Sequence, residues 1–157
     1  MKKLIIGIIA AALICSFTLP VNAATTQDLN ITLSGYTEAS ILLNDTTWTP
    51  SAGLGTNEST GINHFKLDND GSVQLDVDIK GSIEPTWSLG ASAAHDVVYV
   101  AYNIGSGNVE ITTGDLDFVN DLAHDGSQNF GMYIDMPTTS STSIQQNITV
   151  TFTATAD

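Results

Sequence analysis

The chain has 157 residues, with 17 Asp and Glu against 4 Lys and Arg, one cysteine and 13% charged residues, about half the charge density of an ordinary soluble domain. A net charge of −13 repels phosphate and offers no basic patch, which argues against a nucleic-acid partner. One cysteine is too few for a zinc finger or a disulfide-stapled mini-protein, and 42% hydrophobic residues are too many for a disordered acidic tail.

Residues 1–23 read as a separate object. Lys2 and Lys3 make a short basic start, Leu4 to Leu19 is an almost unbroken apolar run, and Val21-Asn22-Ala23 puts small residues where a signal peptidase reads. That is the pattern of a secretory signal peptide. The alternative is an uncleaved anchor helix, but the run is short for a span, is closed by Pro20 and has no basic stop-transfer residue after it. Cys15 raises the question of a lipoprotein, yet Ile14 stands where a lipobox wants Gly, Ala or Ser. Cleavage after Ala23 predicts a cysteine-free domain over residues 24–157, outside the cell or on its surface, without a membrane span. That domain keeps all 17 acids against Lys66 and Lys80, a formal charge of −15. Salt or bound divalent cations would screen its self-repulsion.

Short alternating runs follow. From Ser72 to Lys80 the residues Val73, Leu75, Val77 and Ile79 share one face and Gln74, Asp76, Asp78 and Lys80 the other, the period of a half-buried strand. Asn147 to Ala156 repeats this, with Ile148, Val150, Phe152 and Ala154 inward and threonines outward. Strands are also expected over 28–36, 38–43, 62–67, 86–89, 96–104, 108–113 and 129–136. Turn chemistry separates them at Gly53 to Gly55, Asn69 to Gly71, Gly105 to Gly107, Asp125 to Ser127 and Pro137 to Ser143. The one stretch with helical spacing is Leu116 to Leu122, enough for a single turn. Seven to nine short strands with regular turn signals predict an all-β fold, a single antiparallel β-sandwich of immunoglobulin-like or jelly-roll type.

The stretch Leu67-Asp68-Asn69-Asp70-Gly71, running through Val73 to Gly81 and then Thr86-Trp87-Ser88-Leu89, resembles a recurrent pattern in secreted prokaryotic β-sandwich proteins. So do Gly126 to Thr138 and the closing Ile148 to Ala156. The resemblance covers about half of the secreted part. It implies a protein of cell surfaces or extracellular matrices, some of whose relatives polymerise by passing a strand to a neighbour.

Nucleophilic catalysis needs a base beside a hydroxyl or thiol, and His64, His95 and His124 are the candidates. His95-Asp96 and His124-Asp125 are adjacent pairs, which on a strand point to opposite faces. No nucleophile elbow, HExxH or paired-Glu motif occurs, so the chain reads as a non-enzyme. Acid clusters are the better chemical lead. Asp68, Asn69 and Asp70 place two carboxylates and an amide oxygen in a tight turn, as calcium loops do, although Ile79 stands where an EF-hand carries its closing Glu. The plain alternative is a hairpin turn with Gly71 at positive φ. Asp115, Asp117, Asp121 and Asp125 form a second acidic stretch.

Aromatic residues supply a rival function, a carbohydrate-binding module with an exposed ring as its platform. Trp87 reads as core, whereas Trp48, between Thr47 and Thr49-Pro50, reads as an exposed loop residue and the candidate platform. Sequons at Asn30, Asn44, Asn57 and Asn147 offer glycosylation sites in a glycosylating host. The N-terminal strand carrying Leu29, Ile31 and Leu33 follows a short leader and fits either its own sheet or a neighbour's. Burying three such side chains contributes roughly 5 kcal/mol before association costs. The expected partners are therefore further copies, other surface proteins or glycans.

Overall fold

A computed structural model describes residues 26–32, as backbone, and residues 39–157. The expected leader at 1–23 with Cys15 lies outside the described residues, as do Leu33 and Tyr36. The described residues form an all-β fold with no helix. Its strands in chain order are β1 (Thr26–Thr32), β2 (Ile41–Leu43), β3 (Thr47–Trp48), β4 (Asn57–Ser59), β5 (Phe65–Asn69), β6 (Leu75–Glu84), β7 (Ser88–Leu89), β8 (Val97–Asn103), β9 (Val109–Glu110), β10 (Leu116–Leu122), β11 (Ser127–Asp135) and β12 (Asn147–Ala156).

Two sheets result. One runs β10-β6-β12-β1-β3; the other runs β2-β5-β11-β8-β7, with β4 also paired to β11 and β9 to β8. The backbone of the first sheet is the antiparallel ladder from Asn147↔Glu84 to Ala156↔Leu75. Both of its strands alternate buried and partly exposed residues, because their period-two apolar residues can cover only one face of a pleated strand.

The two sheets share one core. Leu75, Val77, Ile79, Ile148, Val150 and Phe152 enter it from the first, and Phe65, Leu67, Val98, Val100, Phe130, Met132 and Ile134 from the second. Phe118 of β10 packs edge-on against Phe130 at 5.1 Å and against Phe152 at 5.0 Å, so it touches both sheets. Phe130 and Phe152 meet at 5.5 Å. Such aromatic contacts add about 0.5–1.5 kcal/mol each to the area they bury.

Four expectations are corrected by this architecture. There are twelve strands among the described residues rather than seven to nine, because β3, β4, β7 and β9 are two- or three-residue pieces too short to show a period. The sheets are mixed rather than antiparallel, since β1 pairs parallel with β12 and β7 parallel with β8. Leu116 to Leu122 is strand β10, not a helical turn. The Asn69-Asp70-Gly71 turn is not a hairpin: it carries the chain from β5 in one sheet to β6 in the other, and Gly71 is not among the positive-φ glycines.

Candidate functional site

The turn expected to bind calcium is held by its own amide. Asn69 is buried, and its Nδ2 donates to the carbonyls of Val73, Leu122 and Ala123 at 2.8, 2.9 and 3.0 Å. Its Oδ1 accepts from the Gly71 amide at 3.1 Å. Asn69 therefore spends its polar capacity on closing three backbone segments. Asp68 pairs with Lys66 at 2.8 Å, and the exposed Asp70 stands at the turn's tip. His124 reaches the same turn through Nδ1, which contacts the Gly71 carbonyl. Among the described residues no group of three or more metal-ligating His, Cys, Asp or Glu side chains converges.

The second acidic stretch is brought instead onto an outward face. Asp117 of β10 lies directly opposite Asp78 of β6. Burial raises the Asp78 carboxyl above its ordinary range, and the charges of Asp117, Asp115 and Asp76 raise it further, with Lys80 opposing them. Lys80 is drawn off to Asp115 at 2.9 Å. Asp76 accepts from the Asp121 amide at 2.9 Å, and Gln74 donates to the Asp121 carboxylate. Asp125 is not part of this face; it contacts His124 at 3.2 Å.

The adjacent His-Asp pairs do meet. His95 Nε2 lies 3.3 Å from Asp96, and both aspartates, Asp96 and Asp125, have positive φ, 55° and 58°. The left-handed backbone breaks the strand alternation that would have separated the side chains. His95 Nδ1 also contacts the Thr139 hydroxyl at 2.8 Å. That gives a hydroxyl, an imidazole and a carboxylate in sequence, the donor order of a nucleophilic relay. Here the imidazole is 64% exposed, and Asp96 is taken by Ser141, which donates to it from both its amide and its hydroxyl. The visible effect of the array is to tie the loop after β11 to the start of β8.

Trp48 is corrected outright. It lies in the core, 9% exposed, at the end of β3 and opposite Gln27 of β1, so its ring cannot serve as a glycan platform. Trp87 packs against the core and donates Nε1–H to Ser140 at 2.9 Å. Of the sequons, Asn57 and Asn147 are exposed at strand starts. Asn44 is exposed too, but its Oδ1 accepts from the Lys66 amide and its Nδ2 donates to the His64 carbonyl. Asn30 sits on β1 opposite Thr151.

The N-terminal strand has the most distinctive placement. β1 runs parallel to β12 in unbroken register from Thr26↔Asn147 to Thr32↔Thr153, setting Leu29 against Val150 and Ile31 against Phe152. Its other side meets β3 at only Gln27↔Trp48 and Asp28↔Thr47. One long ladder therefore holds β1, and removing the strand would leave the Asn147–Thr153 edge of β12 unpaired. An unpaired edge of this length is a template for another strand.

Comparison with protein-family models and with curated proteins found no match. Among the described residues no helix is long and apolar enough to cross a membrane.

Proposed function

We propose that this chain is a secreted, non-enzymatic structural subunit of a cell surface or extracellular matrix. Its two sheets pack as a β-sandwich, its copies join by strand addition, and divalent cations steady its acidic surface. The observation that carries the reading is the seat of β1, a terminal strand held in parallel register along β12 and touching β3 at two positions. Signal cleavage after Ala23 would put β1 two residues from a free N-terminus. Only the connection after Thr32 would then have to extend for the strand to pair with a neighbour's β12. Exchange of an identical element between copies makes the same contacts in the assembly as in the monomer, so it costs little. The acid-on-acid register of Asp78 and Asp117 is a cost that cations would relieve.

The test is sedimentation velocity on the protein secreted by cells expressing the whole chain, first with calcium and then with a chelator. The expected result is growth into large species with calcium, their dispersal on chelation, and a persistently small Ile31→Asp variant, which puts a charge at the register position opposite Phe152. A monomer indifferent to calcium would overturn cation-driven assembly. Assembly by Ile31→Asp equal to that of the parent would overturn the role of β1.

A further inference from the structure

On the outward face of the seven-stranded sheet, the ring of Tyr133 lies beside short residues. Tyr133 of β11 stands between Ala101 of β8 and Ser59 of β4, and Gly131 stands opposite Asn103. With no side chain at 131 and a short one at 59, the sheet surface sinks at this point. A Cβ on Gly131 would lie 2.2 Å from the Gly61 carbonyl oxygen, so the segment after β4 passes directly over the sheet there. Thr60 pins that segment: its amide donates to the Met132 carbonyl at 3.0 Å, and its hydroxyl accepts from the Met132 amide at 2.9 Å. The result is a depression of about 160 Å³ walled by Ser59, Ile62, Asn103, Asn108, Met132 and Tyr133.

The polar wall is set in advance. Asn103 donates from Nδ2 to Asn108 Oδ1 at 3.1 Å and accepts from the Gly105 amide at 2.7 Å. The turn that carries them depends on Gly105 and Gly107, at φ 108° and 115°, a region closed to most side chains. After these bonds, Asn103 keeps one N–H and Asn108 both of its N–H donors for a ligand. Facing them are the half-exposed Ile62 and Tyr133, whose ring is braced edge-on by Tyr99 at 5.9 Å.

We propose that this depression binds a single neutral sugar ring, with its hydroxyls on the Asn103 and Asn108 amides and its C–H face on Tyr133 and Ile62. Three features narrow the ligand to that class. No charged side chain lines the depression, whereas Glu110 opposite Ala101 and Asp135 beyond Tyr133 lie beside it and repel anions. Convergent amides on one side and apolar carbon on the other match a ligand that is polar around its rim and apolar on its face. The volume is several times the roughly 30 Å³ share of one water but below the roughly 300 Å³ at which drug-sized pockets begin, which suits one ring and no more.

The experiment is an amide-correlation NMR titration of the secreted protein with glucose, galactose, mannose and N-acetylglucosamine. Each is taken to about 10 mM, well above a Kd of order 1 mM. The expected result is a saturable shift of the Asn103 and Asn108 side-chain amide signals with at least one sugar. Binding should weaken at least tenfold in Asn108→Ala and persist in Tyr133→Phe, which keeps the ring. Unchanged backbone signals in each variant show that the fold is intact. No shift with any of the four sugars, shifts confined to another surface, or undiminished binding by Asn108→Ala would overturn the site.

Discussion

Asp78 and Asp117 are paired directly across the β6–β10 ladder, two like charges on neighbouring strands. Burial raises the Asp78 carboxyl first, and the charges of Asp117, Asp115 and Asp76 add to it. The folded protein therefore holds this proton more tightly than the unfolded chain does. Stability then falls as pH rises from the ordinary value of 3.8 through the raised one, and stays lower above it. Asp78→Asn is expected to be more stable than the parent at neutral pH by about 0.5 kcal/mol, the size of a cross-strand charge effect at a partly exposed site. The gap should close below the ordinary value, where the parent carboxyl is neutral in both states. Urea unfolding of the two proteins at acid and neutral pH checks both statements, and added salt should shrink the neutral-pH gap.

Asp96 has the opposite sign. The hydroxyl and amide of Ser141 hydrogen-bond its carboxylate and lower its pKa. That stabilisation is present above the unfolded value and is lost as pH falls through the depressed one. Ser141→Ala should bring the Asp96 pKa, read by carboxyl NMR, back toward 3.8. The residue-141 amide still donates to Asp96, and the Asp96–Thr139 and Thr138–Ala94 backbone bonds are untouched, so the loop after β11 should stay docked on the start of β8. An unmoved Asp96 pKa would contradict the assignment.

How much of this was legible in the sequence varies with how regular each strand is. β6 and β12 could be read because their apolar residues keep strict alternation. β10 could not: its apolar residues Leu116, Phe118, Val119 and Leu122 are spaced like a helical stripe. The cause is two register shifts, one between Asp117 and Val119 and one between Val119 and Leu122. A bulge adds a residue without a partner and moves the next inward residue by one place, so two of them turn period two into something near period three. Asp121, at φ 58°, lies within the second shift.

The candidate sites follow the same logic. The acidic residues were visible, but which of them meet depends on the β6–β10 pairing, a long-range fact absent from local spacing. Trp48 looked like a loop residue because a two-residue strand has no period, yet it belongs to the core cluster. The Asn103, Asn108 and Tyr133 group was missed because the depression depends on what is absent at Gly131, a side chain, beside the short one of Ser59.

Asn69 gives a stability prediction that also separates structure from cation binding. Asn69→Ala would take the side-chain donor from the Val73 and Leu122 carbonyls, whereas the Ala123 carbonyl keeps the Gly126 amide and the Gly71 amide keeps the Ser40 carbonyl; losing buried partners costs about 1–3 kcal/mol each where water cannot replace them. A loss of about 3 kcal/mol is expected, the same with calcium as with chelator. A loss that appears only in calcium would mean that the residue serves a cation rather than the three backbone segments it joins.

Gly131 is the most exacting position for the outward face. In Gly131→Ala the new methyl would meet the Gly61 carbonyl oxygen at 2.2 Å and the Gly61 carbonyl carbon at 2.6 Å, backbone atoms that cannot turn aside as a side-chain tip does. Either the 60–62 segment lifts, giving up the two Thr60–Met132 hydrogen bonds, or β11 shifts against β8. Overpacking of this kind costs about 1–3 kcal/mol. The expected outcome is a lower unfolding midpoint with new amide exchange concentrated at Thr60 and Met132, since the clash lies on that face. Phe130→Leu, a neighbouring change on the core side, should lower stability without opening those two amides. Equal exchange patterns in the two variants would mean that the segment is not held by the bare backbone at 131.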